Sequence, residues 1–268
     1  MQGSIRRLCR ALGALCLLTF PSIAYAQTAP PVEKPQQKAT DTAALPSARS
    51  IIDRHIEAVG GRKALTAHTS HRVRGTMSIP ANGISGSLEI VAARPNKMRT
   101  RVSIPGVGDV EEAFDGTRGW SVSPMTGPML TTGTELEERK FDAEYDGDLR
   151  EDSRYEYLKT VEKTTFDGRP AYKIAAKRKG GTSEDIEYYD VETGLKAGGE
   201  ATRNTPMGAV NVTSTQTDYK KFGDVLIPTV LKQKMMGIEQ VLTLTSVEFD
   251  VVDPSAFEMP AAIKALIK

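Results

Sequence analysis

The sequence predicts a mainly β protein: a curved antiparallel sheet of about ten strands, covered by an N-terminal helix and a mid-chain helical lid. Three observations carry this reading. From Val73 onward, apolar and polar residues alternate with period two in run after run, as they do in strands with one dry and one wet face. Short turns join the runs, among them Pro80-Ala81-Asn82-Gly83, Asp115-Gly116, Asp167-Gly168, Thr193-Gly194 and Gly223-Asp224. Turns of this size suit antiparallel neighbours, not parallel crossovers. Helical spacing is confined to two places, residues 47–59 and 133–151.

In chain order, the first 26 residues read as a cleavable secretory signal. Arg6, Arg7 and Arg10 form a positive start, residues 11–20 are a short apolar run, and Ala24-Tyr25-Ala26 is an Ala-x-Ala cleavage site. The apolar run falls short of the roughly 20 residues that span a bilayer. Arg6-Arg7 raises a twin-arginine reading, but Leu8-Cys9 stands where that signal wants a bulky apolar pair. The expected location is the periplasm or beyond. Both cysteines, Cys9 and Cys16, lie in the signal, so the mature chain has no thiol chemistry or disulfide to call on. Residues 27–46, rich in Pro, Gln, Thr and Ala, cannot bury enough apolar surface to offset their ordering entropy and read as a flexible linker. Residues 47–268 form one β domain. The charges, 35 basic and 34 acidic, become 32 against 34 once the three signal arginines are removed. That balance offers no basic excess for phosphate backbones, so no nucleic-acid partner is expected.

Ser47 starts a helix whose apolar stripe is Ile51, Ile52, His55, Ile56 and Val59. Gly60-Gly61 ends it, and residues 62–67 make a further helical turn. Strands follow. Val73, Met77 and Ile79 alternate with Arg72, Arg74, Thr76 and Ser78; Ile84, Leu88 and Ile90 alternate with Ser85, Ser87 and Glu89; Met98, Val102 and Ile104 alternate with Arg99, Arg101 and Ser103. Trp120 lies on a short strand after the Asp115-Gly116 turn. The pattern resumes at Tyr172, Ile174 and Ala176 and continues through residues 186–190, 195–202, 210–219, 225–236 and 240–252. The last strand places Val241, Val247 and Phe249 on one side and Leu242 and Leu244 on the other. About ten strands approach the number at which an open sheet must curl, and its dry face needs a cover. The charged stretch 133–151 has only Leu136, Phe141, Tyr145 and Leu149 as large apolar residues. So thin a stripe packs weakly, as a lid or a plain surface helix would.

The pieces "IIDRHIEAVGGRKAL" from Ile51, "AARPNKMRTRVSIPG" from Ala92, "AFDGTRGWSVSPMTGP" from Ala113, "YDVETGL" from Tyr189 and "DYKKFGDVLIPTVLKQKMMG" from Asp218 follow one another in a telling order. In that order the chain resembles the LolA/LolB-type lipoprotein-carrier superfamily, the outer membrane lipoprotein-sorting group, over nearly the whole mature length. The same kind of segment is similar to a region appended to some exported zinc peptidases of the insulinase class. The resemblance implies an unclosed half-barrel that binds acyl chains or a lipoprotein. It carries over no individual ligand-contacting residue.

Chemistry-bearing motifs are sparse. His68-x-x-His71 supplies two of the three or four ligands that a metal site needs, so neither metal nor cofactor is expected. "GISGS" at residues 83–87 sits in an alternating strand and does not make a nucleophile elbow. The acidic pairs Glu111-Glu112, Glu137-Glu138, Glu151-Asp152 and Glu184-Asp185 read as solvated faces, as do Arg99, Arg101, Lys232 and Lys234. The mature chain does hold eight methionines, flexible side chains that adapt to ligands of variable shape. The candidate lining for a hydrophobic ligand is therefore Met77, Met98, Trp120, Met125, Met129, Phe141 and Tyr172, with ordinary core filling as the alternative for Met77 and Met98 and a core anchor for Trp120. The resulting expectation is a non-enzymatic, monomeric carrier or sensor of hydrophobic or lipid-modified ligands. The alternative is an envelope interaction or scaffold module beside an exported peptidase.

Overall fold

A computed structural model describes residues 44–181, 183–205 and 208–267. The expected signal and residues 27–43 of the expected linker lie outside them. The first helix, α1 (Ala48–Ala58), begins where Ser47 caps it, its side chain accepting a hydrogen bond from the Ser50 amide. Ile51, Ile52, His55 and Ile56 are its buried stripe. Gly60 and Gly61 have φ of 127° and 77°, a backbone that few other residues adopt, and α2 (Gly61–Thr66) follows.

Six strands come next: β1 (Ser70–Ile79), β2 (Ile84–Ala93), β3 (Lys97–Ile104), β4 (Gly108–Phe114), β5 (Gly119–Ser123) and β6 (Gly127–Thr131). A covering segment then holds α3 (Gly133–Ala143), a 3₁₀ turn at Gly147–Leu149 and α4 (Glu151–Arg154). Seven strands complete the sheet: β7 (Tyr155–Phe166), β8 (Arg169–Arg178), β9 (Glu184–Asp190), β10 (Lys196–Thr205), β11 (Gly208–Phe222), β12 (Val225–Met235) and β13 (Ile238–Phe249). A short helix, α5 (Ala261–Lys264), lies near the end.

Among the described residues thirteen strands form one sheet in the order β6-β5-β4-β3-β2-β1-β13-β12-β11-β10-β9-β8-β7, and every pairing in it is antiparallel. Strands β1 and β13 meet in the middle, so β2–β6 and β7–β12 run outward as two wings. Because β6 and β7 are the opposite edges, the segment between them must cross from one wing to the other. Helix α3 accordingly touches both β4 and β10. The sheet is an open half-barrel with a helical lid, as expected. Its edges are blunted against pairing with other chains: β6 is five residues long with Pro128 inside it, and β7 carries two register shifts along with Lys159 and Lys163.

Thirteen strands replace the expected ten. Those without a clear alternating signal are β4, with adjacent glutamates, β6, with Gly-Pro, and the edge strand β7, largely exposed. An edge strand gains little from one-sided patterning, so period two is weak there.

The inner face is the one on which α1 packs. Its main apolar cluster joins Ile51, Ile52, Ile56 and Val59 to Val73, Met77, Leu88, Val102, Ile174, Leu231, Leu242 and Leu244. Strand β13 departs from its expected alternation. The register places Val73 opposite Val247 and Met77 opposite Leu242, with a shift beside Gly75. Thr245 is the extra residue of this β-bulge, and it returns Val247 and Phe249 to the inner face already occupied by Leu242 and Leu244. Gly75 makes the bulge possible, since a Cβ there would collide with the Thr243 carbonyl oxygen and lie 3.0 Å from Leu244 Cα. Gly75→Ala is expected to destabilise by about 1–3 kcal/mol, the usual cost of overpacking; urea unfolding checks it, and a loss under 0.5 kcal/mol on the same overpacking scale would show that the bulge tolerates a side chain.

One end of the sheet is fastened by Asp250. This residue adopts a φ of 58° and accepts hydrogen bonds from His68 Nδ1 at 2.6 Å, the Thr69 amide at 2.7 Å and Thr69 Oγ1 at 2.9 Å. Desolvation would raise its carboxyl, but the bonds from His68, Thr69 and Ser70 outweigh it and hold the pKa at about 2, below the usual 3.8. A lowered carboxylate pKa stabilises the fold above the unfolded value and loses that contribution as pH falls. Stability from this clasp should therefore be full above pH 3.8 and decline toward pH 2. Asp250→Asn should flatten that part of the acid-unfolding profile; an unchanged profile would remove Asp250 from the account.

Candidate functional site

Two surfaces face each other across the interior: the inner face of the wings, and the cover made by residues 132–154. The cover is held at both sides. On the N-terminal wing, Ala143, Tyr145 and Leu136 pack on Ala92, Met98 and Phe114. Tyr145 OH shares a hydrogen bond with His71 Nδ1 at 3.2 Å, its amide donates to Pro95 O at 2.8 Å, and Arg94 pairs with Asp146. Arg139 of α3 runs over Gly119, where a Cβ would lie 2.9 Å from its Cδ, and reaches Glu112 Oε2 at 3.5 Å. Burial pushes the Glu112 carboxyl up against the opposing pull of Arg139. On the other side, Leu149 packs against the main cluster, and Phe141 of α3 lies among residues of α4, β7 and β8.

The inner face of the C-terminal wing carries many polar groups. Gln240, Gln233, Ser214, Gly199, Glu187 and Ile174 succeed one another in register across β13 to β8. Gln240, Gln233 and Glu187 are buried. Lys196 Nζ pairs with Glu187 Oε1 at 3.0 Å, and Tyr189 OH donates to Glu187 Oε2 at 2.9 Å. One row further, Asp185 is shared by Arg178 at 2.9 Å and Arg203 at 3.4 Å. Arg154 and Arg178 stack on the Phe141 ring at 3.7 and 4.4 Å from its centroid. The interior thus has an apolar floor under α1 and a region of paired charges and amides where α3 crosses the C-terminal wing.

The seven candidate lining residues do not converge on one place. Met77 and Tyr172 belong to the main cluster with α1, and Met98 to the second cluster under Tyr145. Phe141 is held by two guanidiniums and the edge of Tyr155. Met129 shares the inner-face parity through its register with Ser121, yet stands at the edge, 48% exposed; Met125 is at a hairpin tip, 53% exposed. Of the two readings of Trp120, core anchor and cavity wall, its position fits the core anchor. Phe114 faces Met98 on the inner side, and Ala113 faces Trp120 on the other, so Trp120 is an outer-face anchor packed with Ile263. The histidines are structural: His55 Nδ1 donates to Gly194 O at 3.1 Å, while His68 and His71 serve the clasps already described.

Sequence reasoning missed the buried polar residues, because it assigned charged positions to the wet face. A signal was present. Val212-x-Ser214-x-Gln216, Leu231-x-Gln233 and Gln240-x-Leu242-x-Leu244 place amides in phase with apolar inner residues, and that phase puts them inside.

This architecture has counterparts among solved structures. A DUF1329 family protein from Desulfovibrio piger matches with a TM-score of 0.54 at 11% identity, covering 79% of this chain and 97% of that one. A LolA superfamily protein from Nitrosomonas europaea gives 0.51 at 12% identity, covering 80% and 99%. An outer membrane lipoprotein-sorting protein domain from Vibrio parahaemolyticus gives 0.50 at 11% identity, covering 79% and 97%. The chain therefore has a LolA/LolB-like fold. No protein-family model matches the sequence, and no curated protein matches it.

Proposed function

We propose that this chain is a non-enzymatic periplasmic binding or carrier protein for hydrophobic or lipid-modified ligands, exported by residues 1–26. The observation that carries the proposal is the cover. Residues 132–154 bridge both wings of an unclosed sheet, and their attachment is divided among small apolar contacts and polar pairs such as Arg139–Glu112, Tyr145–His71 and Arg94–Asp146. A divided attachment of this kind opens more readily than one continuous apolar seam. Beside it, under α1, lies an apolar cluster that includes Met77 and Leu242, and Leu149 of the cover packs against it. The fold likeness to a lipoprotein-sorting domain supports the same reading.

The test is saturable binding. Purified mature protein should bind a fluorescent palmitate, unlabelled acyl chains should displace it, and a photoreactive palmitate should label peptides containing Met77 or Met98. Labelling restricted to the outer face, or binding that never saturates, would overturn the proposal. Recovery from envelope extracts of a protein partner without lipid would favour the scaffold alternative. Amino-terminal sequencing of the exported form should begin at Gln27.

A further inference from the structure

We infer that the cargo is an anionic amphiphile whose head group is received by Arg178 and Tyr155, with Arg154 and Arg203 beside them. The inference rests on the carrier reading and specifies its ligand class. Arg154 comes from α4, Arg178 from β8 and Arg203 from β10, and each is only 8% exposed. They converge through shared neighbours. Arg154 and Arg178 lie over the Phe141 ring, and Arg178 and Arg203 both reach Asp185. The acids facing this group are Asp185, which serves two arginines, and Glu144, which lies 3.0 Å from Arg154 and is also bound by Arg150 at 2.8 Å. Asp142 is a further buried acid on α3. Drawing three guanidiniums out of water at one spot is costly unless anions answer them.

One donor at this spot has no acceptor. Tyr155 is 4% exposed and its hydroxyl has no hydrogen-bond partner, while Arg178 turns both Nε and Nη2 toward a single oxygen, Asp185 Oδ2, at 2.9 Å. The two residues are direct cross-strand neighbours in the β7–β8 register. A buried phenol that lacks an acceptor, on the residue paired with a buried arginine and sharing the Phe141 ring with it, forms a site for a carboxylate or phosphate oxygen. The next inner-face pair along the same strands is apolar, Leu158 opposite Ala176, and Leu158 packs against the main cluster. A chain leaving the head group therefore meets an apolar path within one pair of residues. A neutral head group could accept from the Tyr155 hydroxyl but would bring no charge to the guanidiniums.

Matched 16-carbon probes test this. Hexadecyl phosphate, monopalmitoylglycerol and inorganic phosphate are titrated separately into the lipid-free full mature chain by calorimetry. Hexadecyl phosphate should bind about 10-fold or more tightly than monopalmitoylglycerol, the scale of a charge-assisted hydrogen bond. Tyr155→Phe removes one hydroxyl and keeps the packing, and it should bring the ratio of the two lipid affinities most of the way to one. Arg178→Gln should do the same. Equal affinity for the two lipids, or a preference that survives in both variants, would overturn the inference with the carrier reading intact. Inorganic phosphate binding as tightly as hexadecyl phosphate would overturn it in favour of a site for free anions. Failure of both lipids to bind would instead sink the carrier reading beneath it.

Discussion

Lys196→Met should lower stability by about 3–5 kcal/mol, the usual cost of removing one partner from a buried ion pair. Lys196 and Glu187 are 5% and 1% exposed and lie 3.0 Å apart. Methionine fills much of the lysine volume, so the loss should come from the carboxylate left without its cation. Tyr189 OH still donates to the other Glu187 oxygen, but a neutral hydroxyl does not replace the Lys196 charge. The double variant Lys196→Met, Glu187→Gln should recover most of the loss, since it removes the stranded charge. The sign with pH follows. In the single variant, loss of the Lys196 cation raises the folded-state pKa of Glu187 relative to wild type, so the loss of stability is smallest in acid and grows as pH rises. Urea midpoints for wild type and the variants between pH 4 and pH 8 provide the measurement. A single-variant loss below about 1 kcal/mol, within the range of exposed pairs, would mean that water reaches Glu187 and that this part of the inner face is open to solvent.

The sequence discloses features that short-range chemistry sets. Ser47 caps α1, and the α1 stripe from Ile51 to Val59 is buried as its spacing requires. Asp190 shows why "DVETGL" turns: its Oδ1 accepts from the Glu192 and Thr193 amides and from Thr193 Oγ1, while Gly194 takes φ of 73°. Features set at long range are less visible. Nothing near Val73 announces that its partner is Val247, 174 positions later. Nor does the sequence around Ser246 mark the bulge that reverses the alternation. The lid was legible as an interruption, but its path follows from sheet order: once β6 and β7 occupy opposite edges, the connection has to cross.

The candidate site was the least legible part for a related reason. Hydrophobicity identifies an inner face only when that face is uniformly apolar. Here Glu187, Lys196, Asp185 and Arg203 are buried, and their charges are answered by residues on other strands. Read one strand at a time, each resembles a solvated residue; only pairing across strands makes its burial tenable. Of the methionines expected to line a trough, Met77 lies in the apolar cluster under α1 and Met98 in the one under Tyr145, while Met125 and Met129 are exposed. The region crossed by α3 is polar. On the proposed carrier reading, such an interior would discriminate by head group as well as by chain, because an unsuitable ligand leaves buried polar groups unanswered.

Trp120→Ala separates the two faces of the sheet. Trp120 is fully buried, and its cluster comprises Ala113 and Ile263, with Val122, Leu130 and Met259 packed alongside. Its indole Nε1 makes no hydrogen bond, so the side chain stabilises through apolar contact alone. Truncation should cost about 3–5 kcal/mol, the range for Trp or Phe to Ala in a core. Loss of the indole removes the surface on which Ile263 rests, so hydrogen exchange and proteolysis within residues 254–267 should accelerate more than elsewhere. Ligand binding should respond differently. Trp120 points away from Phe114, Met98 and the cover, so the variant, measured under conditions where it stays folded, should bind fluorescent palmitate with wild-type affinity. Met98→Ala provides the contrast, since Met98 supports Tyr145 from the inner side and its truncation should alter palmitate affinity. If Trp120→Ala abolished palmitate binding while circular dichroism and the urea midpoint stayed near wild type, the ligand would lie against the outer face, and the assignment of the covered side as the binding side would be reversed.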